Sequence, residues 1–95
     1  MDFMWDESKS VANLKKHGLS FEDARNVFND PMAITRMDWH DHEPRWQILG
    51  HWGPILLILV VYTMRTEQDS DVIRLISARR ASTAERRQYE KGQWL

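Results

Sequence analysis

The chain contains no cysteine. That excludes a disulfide framework and any Cys-ligated zinc or iron–sulfur centre, and it is compatible with a reducing compartment. Glycine and proline are scarce, at four and three residues. Gly18, Asp30-Pro31, Gly53-Pro54 and Gly92 therefore read as element boundaries. There is no long hydrophobic run. The longest, Ile55 to Tyr62, falls far short of the ~20 residues a membrane helix needs. The N-terminal residues show no basic stretch leading into an apolar run, so no secretory leader is expected and a cytoplasmic location is. Neither sign of charge dominates, with 13 basic residues against 14 acidic. No internal repeat or low-complexity tract is present. The 95 residues suit one small domain, 1–95, with a modest core.

What is present is unevenly placed. Residues 1–44 hold nine acids and five bases, a balance of −4, whereas residues 45–95 hold five acids and eight bases, a balance of +3. Six of the bases lie in VIRLISARRASTAERRQYEKG, residues 72–92. Such asymmetry suggests a surface for an anionic partner in the second half. The plainer reading is a solvated helix whose arginines pair with Glu85 and Glu90.

The pattern along the chain gives an α+β order. Phe3-Met4-Trp5 forms a short first strand. Asp6 caps a helix running to His17, with Gly18 just beyond its end. Lys9, Asn13 and Lys16 share one polar face of it. Ser20 to Asp23 resembles a capping box, and Phe21, Ala24, Val27 and Phe28 form the apolar stripe of a second helix stopped by Asp30-Pro31. Strands are expected over Met32 to Asp38, Arg45 to Trp52, Ile55 to Arg65 and Val72 to Arg79. The third is β-branched and buried on both faces. Trp39 to Pro44 reads as a loop and Thr66 to Asp71 as a polar connection. Ser82 to Glu85 fits a capping box for a last helix ending at Gly92. Short links imply a four-stranded antiparallel meander, with the early helices on one face in a two-layer sandwich.

Three segments, FMWDESKSVANLKKHGLSFEDARNVFND, LILVVYTMR and IRLISARRASTAERRQYEKG, resemble in order and spacing the BrnT family of type II toxin–antitoxin toxins. The resemblance covers most of the chain. It implies a RelE-like ribonuclease fold, RNA cleavage, inhibition of translation and growth, and neutralisation by BrnA. BrnA is a ribbon-helix-helix antitoxin that also binds the operator, so contact with operator DNA is indirect. A metal-free ribonuclease must activate the ribose 2′-OH, stabilise charge on a pentavalent phosphorus and protonate the leaving 5′-oxygen. Arginine forks suit the second task.

On that basis Arg79 and Arg65, with His17 and Lys16 for proton transfer, are the candidate catalytic residues. Lys9, Arg80 and Arg87 are candidate RNA contacts. Each has a structural reading beside it. For Arg79 it is a strand-end charge paired with an acid, for Arg65 the point where a strand reaches water, and for Lys16 and His17 a complement to a helix dipole. If Arg65 pairs near Val72, Arg65 and Arg74 share a face and Arg79 takes the other; a one-residue shift reverses this. His40, His42 and His51, near Asp38, Asp41 and Glu43, make a weak metal motif, so no metal or other cofactor is expected. Trp39, Trp46 and Trp52 suit either base stacking or packing. The competing function is a non-catalytic nucleic-acid-binding or partner-binding adaptor, since no Walker loop, GxSxG or zinc motif is present.

Overall fold

The computed structural model describes residues 1–94. Its elements are β1 (Asp2–Met4), α1 (Glu7–His17), α2 (Phe21–Ala24) continuing into a 3-10 turn (Arg25–Asn29), β2 (Ile34–His40), β3 (Glu43–Trp52), β4 (Leu56–Glu67), β5 (Ser70–Arg80) and α3 (Thr83–Lys91). The class is α+β, as the pattern predicts. The strands form one sheet in the order β1-β5-β4-β3-β2. β2 to β5 are an antiparallel meander. β1 adds to it beside β5 in parallel, which makes the sheet five-stranded and mixed.

The caps form where the sequence places them. Asp6 accepts the Ser8 N–H at 2.9 Å, and Gly18, at φ 74°, returns its N–H to the Leu14 carbonyl. The second helix is shorter than its apolar stripe implies. After Ala24 it tightens into the 3-10 turn. There the Asn26 amide donates to the Asp23 carbonyl at 2.9 Å, a side-chain bond that competes with the helical ladder.

Both expected long links are replaced by two-residue turns. Asp41 and His42 have φ of 48° and 64°, and Gln68 and Asp69 have φ of 50° and 64°. Positive φ at both central positions matches the right-handed twist of the flanking strands. The strands therefore run on to His40, Glu43, Glu67 and Ser70. Neither turn contains the glycine that usually signals this geometry in a sequence.

The pleat of β4 separates two apolar clusters. Ile58, Val60 and Tyr62 pack with Ile48, Ile73, Leu75 and Ala78 beneath Leu19, Phe21, Ala24 and Val27 of the early helical layer. Leu57 and Leu59 face the other way and pack with Leu49 beneath Tyr89 and Trp94. The two-layer expectation is corrected here. α3 crosses to the opposite face and forms a partial third layer, covering the sheet only at the end that carries Trp52 and Arg80. Gly50 allows the 3-10 turn to approach β3. A Cβ there would lie 2.8 Å from Val27 Cγ2 and 3.1 Å from Asp30 Oδ2.

Asn13 does not face solvent beside Lys9 and Lys16. It is buried and brackets the free edge of β5. Its amide donates to the Leu19 carbonyl at 2.8 Å and the Ala78 carbonyl at 2.9 Å, and accepts the Ala78 N–H at 3.2 Å. β1 pairs only with Val72 to Arg74, so Ala78 has no strand neighbour on that side and Asn13 supplies the missing pairing. Asn13→Ala orphans these backbone groups, and an expected loss is about 3 kcal/mol. Urea unfolding checks this, with Lys9→Ala, an exposed change, staying within about 0.5 kcal/mol of the parent.

Candidate functional site

The register of β4 and β5 decides which cations meet. Arg65 pairs with Val72 and Thr63 with Arg74. With an unbroken ladder Arg79 would then face the other way. The ladder is broken. Val61 pairs with Ser77 but Tyr62 pairs with Leu75, so Ile76 is an extra residue on β5. The bulge re-phases the strand beyond it. Arg79 pairs with Leu59 and Arg80 with Ile58. Arg65, Arg74 and Arg79 therefore share the face that α3 partly covers, and Arg80 points to the other. Cross-strand pairing adds Arg36 and Arg45 to the same face.

Sharing a face does not bring Arg79 and Arg65 together. Six residues of β4 separate Leu59, the partner of Arg79, from Arg65, about 20 Å at strand rise. Arg79 is also engaged. Its two terminal nitrogens hold Glu85 at 2.8 and 2.9 Å, and one donates to the Arg80 carbonyl at 3.1 Å. Glu85 in turn accepts the Ser82 N–H at 2.8 Å in the predicted capping box. One carboxylate thus ties the end of β5 to the start of α3. The Arg79 hydrogen bonds, against an opposing effect of burial, hold the Glu85 carboxyl down to about 2 and raise the guanidinium further.

Lys9, Lys16 and His17 do gather. With Ala12 and Asn13 they line a groove of about 240 Å³ against Ile76 and Ser77 at the bulge. Lys16 and His17 also occupy the last turn of α1, where positive charge suits the helix dipole. Arg87 is exposed on α3, away from this groove's lining.

A cleft opens at the opposite end of the sheet from α3. Pairing between β3 and β4 ends at Trp46 with Tyr62, although β3 begins at Glu43 and β4 continues to Glu67. Pro44 lacks the N–H that would extend the ladder, and the bulge bends β5 at the same level. The two hairpins part, leaving a cavity of about 260 Å³ lined by Met4, Glu43, Pro44, Thr63, Met64, Arg65, Val72 and Arg74. Arg65 meets Glu67 at 2.7 Å in an exposed pair. Arg74 has no ion pair among the described residues. Half-buried Arg45, on the same face, has a buried Nε with no hydrogen-bond partner. Glu43, Arg45 and Arg74 lay outside the sequence-derived site. Their types carry no signal until the register places them together.

The histidines and tryptophans disperse. His40 lies 3.4 Å from Asp41. His51 Nδ1 lies 3.1 Å from the Tyr89 hydroxyl, which donates to Asp30 at 2.7 Å. Asp30 also accepts the backbone N–H groups of His51 and Met32, each at 2.8 Å. Burial opposes the charge on Asp30, but these bonds outweigh it and keep its carboxyl low. Burial and the Asp30 contact push Tyr89 up to about 12. This cluster latches α3 to β3 and the β2 approach. Trp46 and Trp52 pack against the core, while Trp39 is 66% exposed.

The Arg79–Glu85 pair has a pH signature. A carboxyl held to about 2 against an ordinary 4.5 stabilises the fold fully above the ordinary value. That stabilisation is lost as pH falls through the lower one. Arg79 is 44% exposed, so solvent screening limits the contribution to about 1 kcal/mol. Thermal unfolding between pH 5 and 2 is expected to fall less steeply for Glu85→Gln than for the parent; parallel curves would show that the pair contributes nothing.

Comparison with known proteins follows the same lines. The family model described as the ribonuclease toxin BrnT of type II toxin–antitoxin systems matches residues 5–85. The crystal structure of the Brucella abortus ribonuclease toxin BrnT is similar at 26% identity and a TM-score of 0.64, over 87% of this chain and 99% of that one. No curated protein matches the chain. A match that spans β2 to β5, the bulge and the start of α3 covers nearly every feature described above, and the chain belongs to the BrnT family of ribonuclease toxins.

Proposed function

We propose that this protein is a metal-independent endoribonuclease toxin that binds RNA along the open half of the α3-side sheet face. The observation that carries this reading is uncompensated positive charge. Arg74 and Arg45 face outward without acid partners among the described residues, and the exposed Arg65–Glu67 pair exchanges at little cost. Lys9, Lys16 and His17 continue the cationic band around the bulged edge of β5. Arg79 borders the face at the α3 end, and Arg80 and Arg87 supply outlying phosphate contacts. Such contacts fix the position of a nucleic acid rather than its sequence. The scaffold is read as RelE-like, and RNA cleavage in the cytoplasm as the cause of arrested translation and growth.

Guanidinium groups can supply the cation that phosphoryl transfer needs. No three His, Cys, Asp or Glu side chains gather into a metal-binding group among the described residues. Purified protein incubated with RNA in excess chelator is therefore expected to cleave it and leave 2′,3′-cyclic phosphate ends. Activity lost in chelator and restored by a divalent ion would overturn the metal-free mechanism.

The family implies an antitoxin. We take it to be a BrnA-like ribbon-helix-helix protein that covers the cationic face and carries the operator contact itself. β2 is a free sheet edge, and exposed Met37 and Trp39 project from it on the helical-layer side, so a partner on the cationic face that wraps this edge would meet them. Co-expression with such an antitoxin is expected to yield a stable complex that no longer cleaves RNA. Two proteins that fail to associate at micromolar concentration would rule this partner out.

A further inference from the structure

The ribonuclease reading leaves the reacting groups to be located. Arg79 is poorly placed for them, because its fork is filled by Glu85. The parted end of the sheet has what that end lacks. Glu43 lines the same cavity as Arg65 and Arg74, and among the described residues its side chain forms no hydrogen bond or ion pair. Glu43 and Arg74 are both exposed and unpaired, so each is free to meet a ligand that enters the cavity. Half-buried Arg45 lies two residues along β3 on the same face. Arg45 thus adds a third guanidinium to this face, with its Nε out of reach of solvent. Met4, Pro44 and Val72 give the cavity apolar walls, which strengthen electrostatic interactions inside it. His40 is the cross-strand partner of Glu43 across the Asp41-His42 turn, so the two side chains project from the same face.

We propose that this cleft is the cleavage centre, with Glu43 as general base and Arg65 and Arg74 as the clamp on the scissile phosphate. The proposal rests on the ribonuclease reading above. A Glu43 carboxylate oxygen takes the proton from the ribose 2′-hydroxyl. The 2′-oxygen forms a bond to phosphorus while the bond from phosphorus to the 5′-oxygen breaks. Arg65 and Arg74 hold the non-bridging oxygens as charge accumulates on them. The imidazolium of His40 gives its proton to the departing 5′-oxygen. The products are a 2′,3′-cyclic phosphate and a 5′-hydroxyl. Glu43 ends protonated and His40 neutral, and exchange with water resets both. Arg45 backs the clamp with a third positive charge.

The test uses the full-length protein, an RNA oligonucleotide it cleaves, and the same oligonucleotide with a 2′-deoxyribose at the cleaved position. Glu43→Gln is expected to lower the single-turnover rate by about 10²-fold or more. Its affinity for the 2′-deoxy analogue, read by fluorescence anisotropy, should be unchanged. Glu43→Asp should retain part of the rate. Arg74→Ala should weaken analogue binding about tenfold as well as slowing cleavage. A substrate with sulfur at the 5′ leaving position, which departs without protonation, should restore His40→Gln but not Glu43→Gln. Circular dichroism checks that each variant is folded. If wild-type protein cleaves and folded Glu43→Gln cleaves equally fast, the cleft assignment is wrong and the ribonuclease reading stands. If wild-type protein cleaves no RNA, free or ribosome-bound, the ribonuclease reading fails and takes this proposal with it.

Discussion

At Ile76 the ladder between β4 and β5 carries one residue more on β5 than on β4. A strand alternates its side chains with period two, so one extra residue inverts every assignment beyond it. Without it Ala78 would turn away from the helical layer and Arg79 into it. With it Ala78 is fully buried against α1 and α2, and Arg79 reaches Glu85 at the start of α3. An irregular strand needs its backbone groups satisfied by something other than a ladder. Asn13 does this from α1, holding both polar groups of Ala78 two residues past the bulge. The cationic face is thus maintained by a buried amide on the opposite side of the sheet.

The same face divides into two chemistries along its length. Toward α3 it is apolar, with Leu49, Leu57 and Leu59 under Tyr89 and Trp94, and the charges there are matched. Arg79 has Glu85, and Asp30 has Tyr89 and the His51 and Met32 amides. Toward the hairpins the match ends. The Arg45 Nε lacks a partner and Arg74 has no acid, although Glu43 stands close by in the same cavity. Matched charges fasten α3. Unmatched ones such as exposed Arg74 are held only by water and stay available to a ligand that carries the missing charge. That contrast separates the arginine that reads as a structural tie from those that read as a binding surface.

Much of this architecture was legible in the chain. Asp6, Gly18, Ser20, Ser82 and Gly92 mark helix ends because capping chemistry is local. The run from Ile55 to Tyr62 announces the central strand because it is buried on both faces. The site was less legible because it depends on register, which is not local. Asp41-His42 and Gln68-Asp69 make tight turns without glycine, so the strands looked shorter than they are and Glu43 fell in an apparent loop. The bulge has no marker in Ile-Ser-Ala-Arg, and it determines whether Arg65 and Arg79 share a face. Lys9 and Lys16 share a face by helical spacing alone, and His17 follows Lys16 in the last turn of α1. Asn13 has the same spacing and was misplaced, because a polar residue on a polar stripe gives no sign that a strand edge needs it.

The charge imbalance between the chain's halves is a coarse shadow of this arrangement. A balance of +3 in residues 45–95 places cations on β3, β4, β5 and α3, but a field strong enough to hold phosphate depends on where neutralisation fails. Glu85, Glu67 and Asp71 lie in that same half, and the first two meet Arg79 and Arg65 directly. The open end of the sheet owes its unmatched charge to geometry. Pro44 and the bulge part the hairpins, and Glu43 and Arg74 line the space between them without forming an ion pair. On the proposed reading, the same space would admit a substrate between acid and base. A toxin of the BrnT family that left this surface uncovered would attract RNA continuously, so an antitoxin seated there would screen the charge and close the cleft in one contact.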